Sequence, residues 1–483
     1  MKFVQKLKNT GYNMLCCVIT GPSYVDVLTQ INEASKDADI LELRWDCFDS
    51  LDFKIHSQLP MIFTLRPLSQ GGKYAKNEES RLESLEQLLE LRPDYVDLEY
   101  TIPLRIIKKL QKKFPSVKTI LSFHDFNKTA IDLNELLKDL EKKPADFYKI
   151  ATFANSTIDA LRMVNFSKQK GPKVIGLCMG ELGAISRILN HFTYCSLKNN
   201  SLSLGLLSLE SLIDCYRYKS INAKTKIYGL IGNPVDKSFS DITHNKVFDF
   251  YDLDAVYIKM NVKIDELRCF FKEIKTLNFM GLSVTMPLKE AVLPYLNKID
   301  SKAFAISAVN TIVCENQNLT GFNTDCTGAI DAIEEKIAVK NKHILIIGAG
   351  GSARAIAYEA VLRQANVTIL NRNLKKALKI AEELCCKGGS INDIKTYYVN
   401  GYDILINCTP NELPFDPLFI LDHVVVMDIQ SFPKWTKLLL EAKNKNCDII
   451  FGFEMFVNQA IGQFQHWFKE DIDFKNIKAI MYN

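Results

Sequence analysis

The chain has 483 residues, 24% of them charged and 47% hydrophobic, which is the balance of a globular protein of two or three domains. Its 60 Lys and Arg against 56 Asp and Glu leave a net charge of +4, excluding the basic excess of a chain built on nucleic acid. Thirteen cysteines without C-x-x-C or zinc spacing argue against a disulfide scaffold or a metal site, and no apolar stretch approaches the roughly 18 residues of a membrane helix.

The start, MKFVQKLKNTGYNMLCCVITGPSYV, weakly imitates a signal peptide. Its apolar core is short and the repeat that follows needs it as a strand, so the reading is cytoplasmic. Eight strand-like runs then follow in order: MLCCVIT, ADILELRWD, MIFTLR, YVDLEY, TILSFHD, FYKIAT, KVIGLCM and FTYCS. Helical patterns separate them, at ESRLESLEQLLEL, PLRIIKKLQKKF, LNELLKDLEKK and STIDALRMVNFSKQ, with a last one at LSLESLIDCYRY. The interval FDSLDFKIHSQ is the poorest helix of the set. Eight such units within residues 1–218 are compact but sufficient for a (β/α)8 barrel; a doubly wound open sheet also alternates, though seldom over eight even strands. Glu42, Arg44, Arg66, Glu99, His124, Lys149 and Met179 fall at the carboxyl ends of successive runs, where such barrels gather their chemistry.

A polar linker, KSINAKTK (219–226), ends this module. The strand KIYGLIGNP opens a smaller α/β segment over 227–332, to which the amphipathic helical tail 453–483 is expected to return. Between them, 333–452 reads as a doubly wound Rossmann domain: strand, glycine turn, helix and strand in KHILIIGAGGSARAIAYEAVLRQANVTILNR. Gly348, Gly350, Gly351, Ser352 and Ala353 form the turn, whose amides and helix start suit a pyrophosphate. At the end of the second strand, 23 residues after Gly348, stand Asn371 and Arg372, then Lys375 and Lys376, instead of an acid. Cations there suit a 2′-phosphate, so the cofactor expected is NADP.

The runs GLIGNPVDKSFSDITHN, GLSVTMPLKE, SAVNTIV, GFNTDCTG, IIGAGGSARA, ILNR, INCTP and GFEMFVNQA occur in one order that resembles shikimate dehydrogenase over nearly all of 226–480. The resemblance implies that Ser238 and Ser240 hold the substrate carboxylate, that Thr285, Asn310, Asp325 and Gln459 bind ring hydroxyls, and that Lys289 and Asp325 are the catalytic pair. Thr409, Gly452 and Met455 would join the cofactor site. Two positions depart from that family's pattern: Ser283 stands where Asn is usual, and Ser431 where a tyrosine follows the strand-ending Asp428.

The first half, over about 14–215, resembles type I 3-dehydroquinate dehydratase through ELRWD, FTLRPLSQGG, LSFHDF, FYKIAT and GLCMGELGAISRI. By resemblance Lys149 forms a Schiff base with the substrate ketone and His124 shuttles the proton. Glu42, Arg44, Arg66 and Arg187 would position ring and carboxylate, Met179 would pack over the lysine, and no metal is required. Gln70 replaces an expected glutamate beside His124, Leu177 an expected methionine, and Leu206 falls near an expected glutamine in the closing loop SLSLGLL. The chain is thus expected to be an α/β protein, a (β/α)8 barrel followed by a two-domain dehydrogenase. It would dehydrate 3-dehydroquinate and reduce the product to shikimate with NADPH, its partners being these small molecules rather than nucleic acid or membrane. Two alternatives stay open: an active dehydrogenase with an impaired, ligand-binding barrel, and a class I aldolase barrel, which shares the lysine but leaves His124 and Arg187 unexplained.

Overall fold

A computed structural model describes residues 13–197, 205–469 and 473–482. The first 12 residues of the signal-like start and residues 201–204 of SLSLGLL lie outside the described residues. The chain groups into two compact units, one of Met1–Ile227 with Asp252–Asn278, the other of Tyr228–Tyr251 with Phe279–Asn483.

In the first unit, eight apolar runs form parallel strands: β1 (Met14–Ile19), β2 (Ile40–Arg44), β3 (Met61–Thr64), β4 (Tyr95–Glu99), β5 (Lys118–Asp125), β6 (Phe147–Phe153), β7 (Val174–Met179) and β8 (Phe192–Ser196). Their ladder runs β7-β6-β5-β4-β3-β2-β1-β8, and the two-residue β9 (Leu207–Ser208) adds to β8. Among the described residues no ladder joins β7 to β8, so the curled sheet has one seam there. Inward side chains from all eight strands, Cys16, Ile40, Ile62, Tyr95, Ile120, Phe147, Ile175 and Tyr194 among them, fill the interior as one cluster. It is a packed core rather than an open channel.

The connecting helices are α1 (Tyr24–Ala34), α2 (Glu78–Leu89), α3 (Leu104–Lys113), α4 (Leu133–Leu140), α5 (Thr157–Lys170) and α6 (Ala184–Leu189). Short polar residues start four of them: Ser23 and Ser156 in capping boxes, Asn77 and Asp132 as single caps. Two intervals depart from the sequence pattern. FDSLDFKIHSQ carries no helix, only a 3₁₀ turn before it at Trp45–Cys47. LSLESLIDCYRY is not one helix either: Leu207 and Ser208 pair with Cys195 and Ser196 as a strand, and a five-residue π-helical turn follows at Ser211–Cys215. Pairing with an open strand edge there outweighs the local apolar period.

Next along the chain come β10 (Lys226–Gly232), α7 (Ser240–Phe250), β11 (Ala255–Asn261) and α8 (Leu267–Ile274). They are followed by β12 (Phe279–Val284), α9 (Leu288–Ala291), β13 (Lys298–Ile299), α10 (Ser301–Ile306), β14 (Thr311–Glu315), β15 (Asn318–Phe322) and α11 (Asp325–Glu334). In the second unit the mixed sheet runs β10-β12-β14-β15-β13, with antiparallel pairing from β12 through β15.

The rest of that unit is a six-stranded sheet in which every pair is parallel. It comprises β16 (His343–Ile347), α12 (Gly351–Leu362), β17 (Asn366–Asn371), α13 (Leu374–Glu383), β18 (Lys387–Ser390), α14 (Ile394–Asn400), β19 (Ile404–Asn407), β20 (Val425–Asp428), α15 (Lys437–Asn444) and β21 (Asp448–Ile450). Its order, β18-β17-β16-β19-β20-β21, reverses between β16 and β19, the switch point at which such sheets bind ligands. Two helices close the chain, α16 (Gly452–Phe468) and α17 (Ile477–Tyr482). Gly328 of α11 has no room for a side chain, because a Cβ there would stand 2.6 Å from the Gln459 backbone nitrogen. That close approach brings Gln459 of α16 beside Asp325 at the start of α11.

Candidate active sites

The barrel holds a dense group of buried charges. Lys149 lies on β6 in register with Ser122 of β5, which is itself in register with Glu99 of β4, so one row of polar groups crosses three strands. The Lys149 ammonium donates to Asp97 Oδ2 at 3.1 Å, stands 3.7 Å from Glu42 Oε1, and sits 4.0 Å from the centre of the Tyr194 ring. Arg66 bridges Asp97 at 3.0 Å and Glu99 at 2.9 Å and donates to Ser122 Oγ at 3.0 Å, while Arg81 supports Glu99 from outside at 2.9 Å. Burial works to raise the Asp97 carboxyl, but Arg66 and Lys149 outweigh it and hold it well below the usual carboxylate range. Burial pushes Glu99 up in spite of its two arginines.

His124, near the end of β5, is pushed well below the usual imidazole value by burial first and then by the Arg66 and Lys149 charges, against the pull of Asp97. It is therefore neutral at pH 7, and its Nδ1 has no hydrogen-bond partner among the described residues. Arg187 on α6 is 4% exposed and makes no ion pair among the described residues; burial lowers its pKa to about 10 and its Nε is unpartnered. A buried guanidinium without a counter-ion is a seat for an anion.

The second site is a cavity of about 860 Å³ in the other unit. Its wall includes Ser238, Ser240, Thr285, Lys289, Asn310, Asp325, Gly350, Gly351, Ser352, Lys376, Thr409, Gly452, Met455 and Gln459. The Lys289 ammonium donates to Asp325 Oδ2 at 2.5 Å and to Ser352 Oγ at 3.2 Å. Asn310 Nδ2 donates to Asp325 Oδ1 at 2.9 Å and to Gln459 Oε1 at 3.2 Å, so the carboxylate is gripped from both sides. The Ser238 and Ser240 hydroxyls lie 2.7 Å apart, and Ser283 donates to Gln463, whose amide reaches the Asn310 carbonyl.

The glycine turn fits a dinucleotide. Gly348 holds φ +118°, a conformation L side chains rarely adopt, and a Cβ there would stand 3.1 Å from the Cys408 carbonyl. A Cβ on Gly350 would meet nothing within 4 Å, so open space lies over the turn, and no side chain among the described residues caps the α12 amides. An anion is the partner those amides accept. Thr409, at the far side of the switch point, donates to Asn407 Oδ1 at 2.8 Å.

Three regions of the chain match family models: residues 15–223 match type I 3-dehydroquinase, 230–312 the shikimate dehydrogenase substrate binding domain, and 331–423 shikimate / quinate 5-dehydrogenase. The "Shikimate biosynthesis protein AroDE" of Chlamydia pneumoniae is 36% identical over 473 residues, 95% of this chain and 96% of that one. The chloroplastic bifunctional 3-dehydroquinate dehydratase/shikimate dehydrogenase of Arabidopsis thaliana is 34% identical, covering 94% of this chain and 81% of its own. The chain belongs to this bifunctional dehydratase–dehydrogenase family. Its second part is also 40% identical over 265 residues to the shikimate dehydrogenase (NADP(+)) of Pyrococcus furiosus, which spans 54% of this chain and 96% of that one.

Within the dehydratase part, the geometry redistributes the roles expected from the sequence. Lys149 and Glu42 sit inside their strands rather than at the ends, while Arg44, Glu99 and Met179 are the final strand residues. Arg44 is held by Asp46 through two bonds of 2.9 and 2.8 Å and Arg66 by Asp97 and Glu99, so both cations are committed to internal carboxylates. Of the three, Arg187 alone makes no ion pair among the described residues. Met179 stands in register with Phe153, whereas Lys149 is in register with Ile175. Gln70 makes no side-chain hydrogen bond among the described residues; the ring stacked beside His124, at 6.0 Å between centres, is Phe126.

Sequence reasoning passed over Asp97, Ser122 and Tyr194. A signal for Asp97 was present, since YVDLEY places it two residues before Glu99 on the same strand face. In the dehydrogenase part, four expected cofactor residues are absent from the cavity wall: Gly348, Ala353, Asn371 and Arg372. Ala353 is fully buried in the helix–sheet core, Asn371 Nδ2 donates to the Asn373 carbonyl at 3.1 Å, and Arg372 is exposed without an ion pair among the described residues.

Proposed function

We propose that the barrel dehydrates 3-dehydroquinate through an imine on Lys149, and that the cavity of the second unit reduces 3-dehydroshikimate to shikimate with NADPH. The observation that supports this reading is the pairing, in one chain, of a buried lysine beside a neutral histidine with a second lysine–carboxylate pair at a dinucleotide turn. In the first reaction the Lys149 amine adds to the ketone carbon, and the carbonyl oxygen leaves as water. The iminium then draws electrons from the adjacent C–H bond. Neutral His124 takes that proton and returns one to the departing hydroxyl, giving the conjugated alkene and a second water; hydrolysis of the imine restores the lysine. Arg187 receives the substrate carboxylate, while Arg66 and Arg44 hold the carboxylates that frame the site.

In the second reaction bound NADPH supplies the hydride. Lys289 gives a proton to the ketone oxygen and Asp325 orients it; Asn310, Thr285 and Gln459 hold ring hydroxyls, and Ser238 and Ser240 the carboxylate. Lys376 at the cavity wall and the exposed Arg372 suit the 2′-phosphate. All thirteen cysteines are free, which suits the reducing cytoplasm as the place of action. The test is borohydride added with 3-dehydroquinate: the substrate mass should appear on the peptide containing Lys149. Labelling elsewhere, or none, would remove Lys149 from its role.

A further inference from the structure

We propose that Ser352 is a positioning residue that ties the dinucleotide site to Lys289, so that each ligand of the second unit strengthens the binding of the other. This rests on the reading of Lys289 and the glycine turn given above, and it adds a coupling between them. The lysine does more than face the turn. A Cβ built on Gly351 would lie 3.8 Å from Lys289 Cδ and 3.9 Å from its Cβ, so the aliphatic stem runs along the last glycine. The ammonium then reaches the next residue, donating to Ser352 Oγ at 3.2 Å.

From Ser352 a chain of hydrogen bonds leads into the substrate side of the cavity. Lys289 passes to Asp325 Oδ2 at 2.5 Å, Asp325 Oδ1 accepts from Asn310 at 2.9 Å, and the same Asn310 amide reaches Gln459 at 3.2 Å. Ser352 is the second residue of α12, so its backbone N–H is among the helix-start donors that an incoming pyrophosphate engages. Fixing that backbone fixes the hydroxyl, and the hydroxyl holds the ammonium where the substrate needs it. A shikimate molecule that orders Lys289 and Asp325 from the other end pins Ser352 in return. Ordering shared between two ligands is required only once, which makes their binding cooperative, and linkage makes the effect equal in both directions.

The experiment is calorimetric titration of shikimate into the full-length enzyme, with and without saturating NADP+, for the native chain and for Ser352→Ala and Ser352→Thr. Each variant is judged on its own ratio of the two dissociation constants, so a change in either affinity alone does not enter. The native ratio should be about fivefold or more in favour of the NADP+ complex, at the lower end of measured couplings. Ser352→Ala should bring it close to one, and Ser352→Thr, which keeps the hydroxyl, should restore most of it. Titrating NADP+ with and without shikimate should return the same ratios. A native ratio near one, or an undiminished ratio in Ser352→Ala, overturns the coupling. A parallel Lys289→Met enzyme separates the two claims: undiminished turnover there overturns the assignment of Lys289 and the proposal with it. An inactive Lys289→Met beside an unchanged Ser352→Ala ratio overturns the coupling alone.

Discussion

The two sites solve the problem of placing a lysine in opposite ways. In the barrel, Lys149 lies together with the buried Arg66 and Arg81 among the buried carboxylates Glu42, Asp97 and Glu99. In the second unit, Lys289 has a single carboxylate partner among the described residues, Asp325, and its hydrogen-bond chain continues through Ser352, Asn310 and Gln459 at the wall of a wide cavity. The difference follows the chemistry. A covalent imine makes the protein supply the electron sink, so charge must be controlled around one nitrogen. Hydride transfer leaves reactivity to the cofactor, and the protein mainly supplies geometry.

The contrast breaks most sharply on the lysines. Lys149→Ala should abolish dehydration, a loss beyond 10⁴ in rate, while leaving shikimate oxidation intact; measuring both activities on one preparation checks it. Asp97→Ala should fail differently. It leaves Arg66 and Lys149 buried beside a missing charge, which costs roughly 3–5 kcal/mol, and denaturant unfolding should register that loss in the first unit. Asp325→Ala should be milder for stability, since its partner Lys289 is better hydrated, yet should lower reduction by about 10²–10⁴ as a lost acid–base partner.

The pH profiles should diverge as well. His124 has a folded pKa below its unfolded value of about 6.5, so the unfolded chain binds the proton more readily in the window below that. Dehydratase activity should therefore persist as pH drops through 6.5, with its acid limb well below that value, and the stability contributed by neutral His124 should decline over the same window. An acid limb at or above 6.5 would contradict the neutral-base account. Smaller effects follow at the cofactor and beneath the lysine. Arg372→Ala should reduce preference for NADP over NAD by about ten- to a hundredfold, the worth of one charged contact, read from kcat/KM with each cofactor. Tyr194→Phe should change dehydration by less than about threefold, because the ring under Lys149 remains and the lost hydroxyl is buried without a partner among the described residues. Tyr194→Leu should cost more, since it removes the ring face itself.

Much of the fold could be read because its signals are local. Each barrel strand is a short β-branched or apolar run, and GAGGSA between two apolar strands marks the dinucleotide turn wherever the sheet lies. The misread segments depend on distant partners. LSLESLIDCYRY has a helical apolar period, but Leu207 and Ser208 meet an open edge at Cys195 and Ser196, which no local pattern reveals. Site residues divide along the same line. Lys149, His124, Lys289 and Asp325 stand in motifs, so resemblance pointed to them. Asp97 gains its importance only when β3 and β6 bring Arg66 and Lys149 to it, and the distinction between Arg187 and the committed Arg44 and Arg66 lies in where Asp46, Asp97 and Glu99 stand in space. Ser352 likewise reads as a turn residue until Lys289 is seen to reach it.

The most direct test of a two-reaction chain is a coupled assay in which the purified full-length protein receives 3-dehydroquinate and NADPH and no other enzyme. Shikimate should form with one NADPH consumed per dehydroquinate. Lys149→Ala should stop NADPH consumption from dehydroquinate but not from 3-dehydroshikimate, and Lys289→Ala should let 3-dehydroshikimate accumulate. A native protein that oxidises NADPH with 3-dehydroshikimate but never with 3-dehydroquinate would contradict the account, leaving an active dehydrogenase joined to a silent barrel.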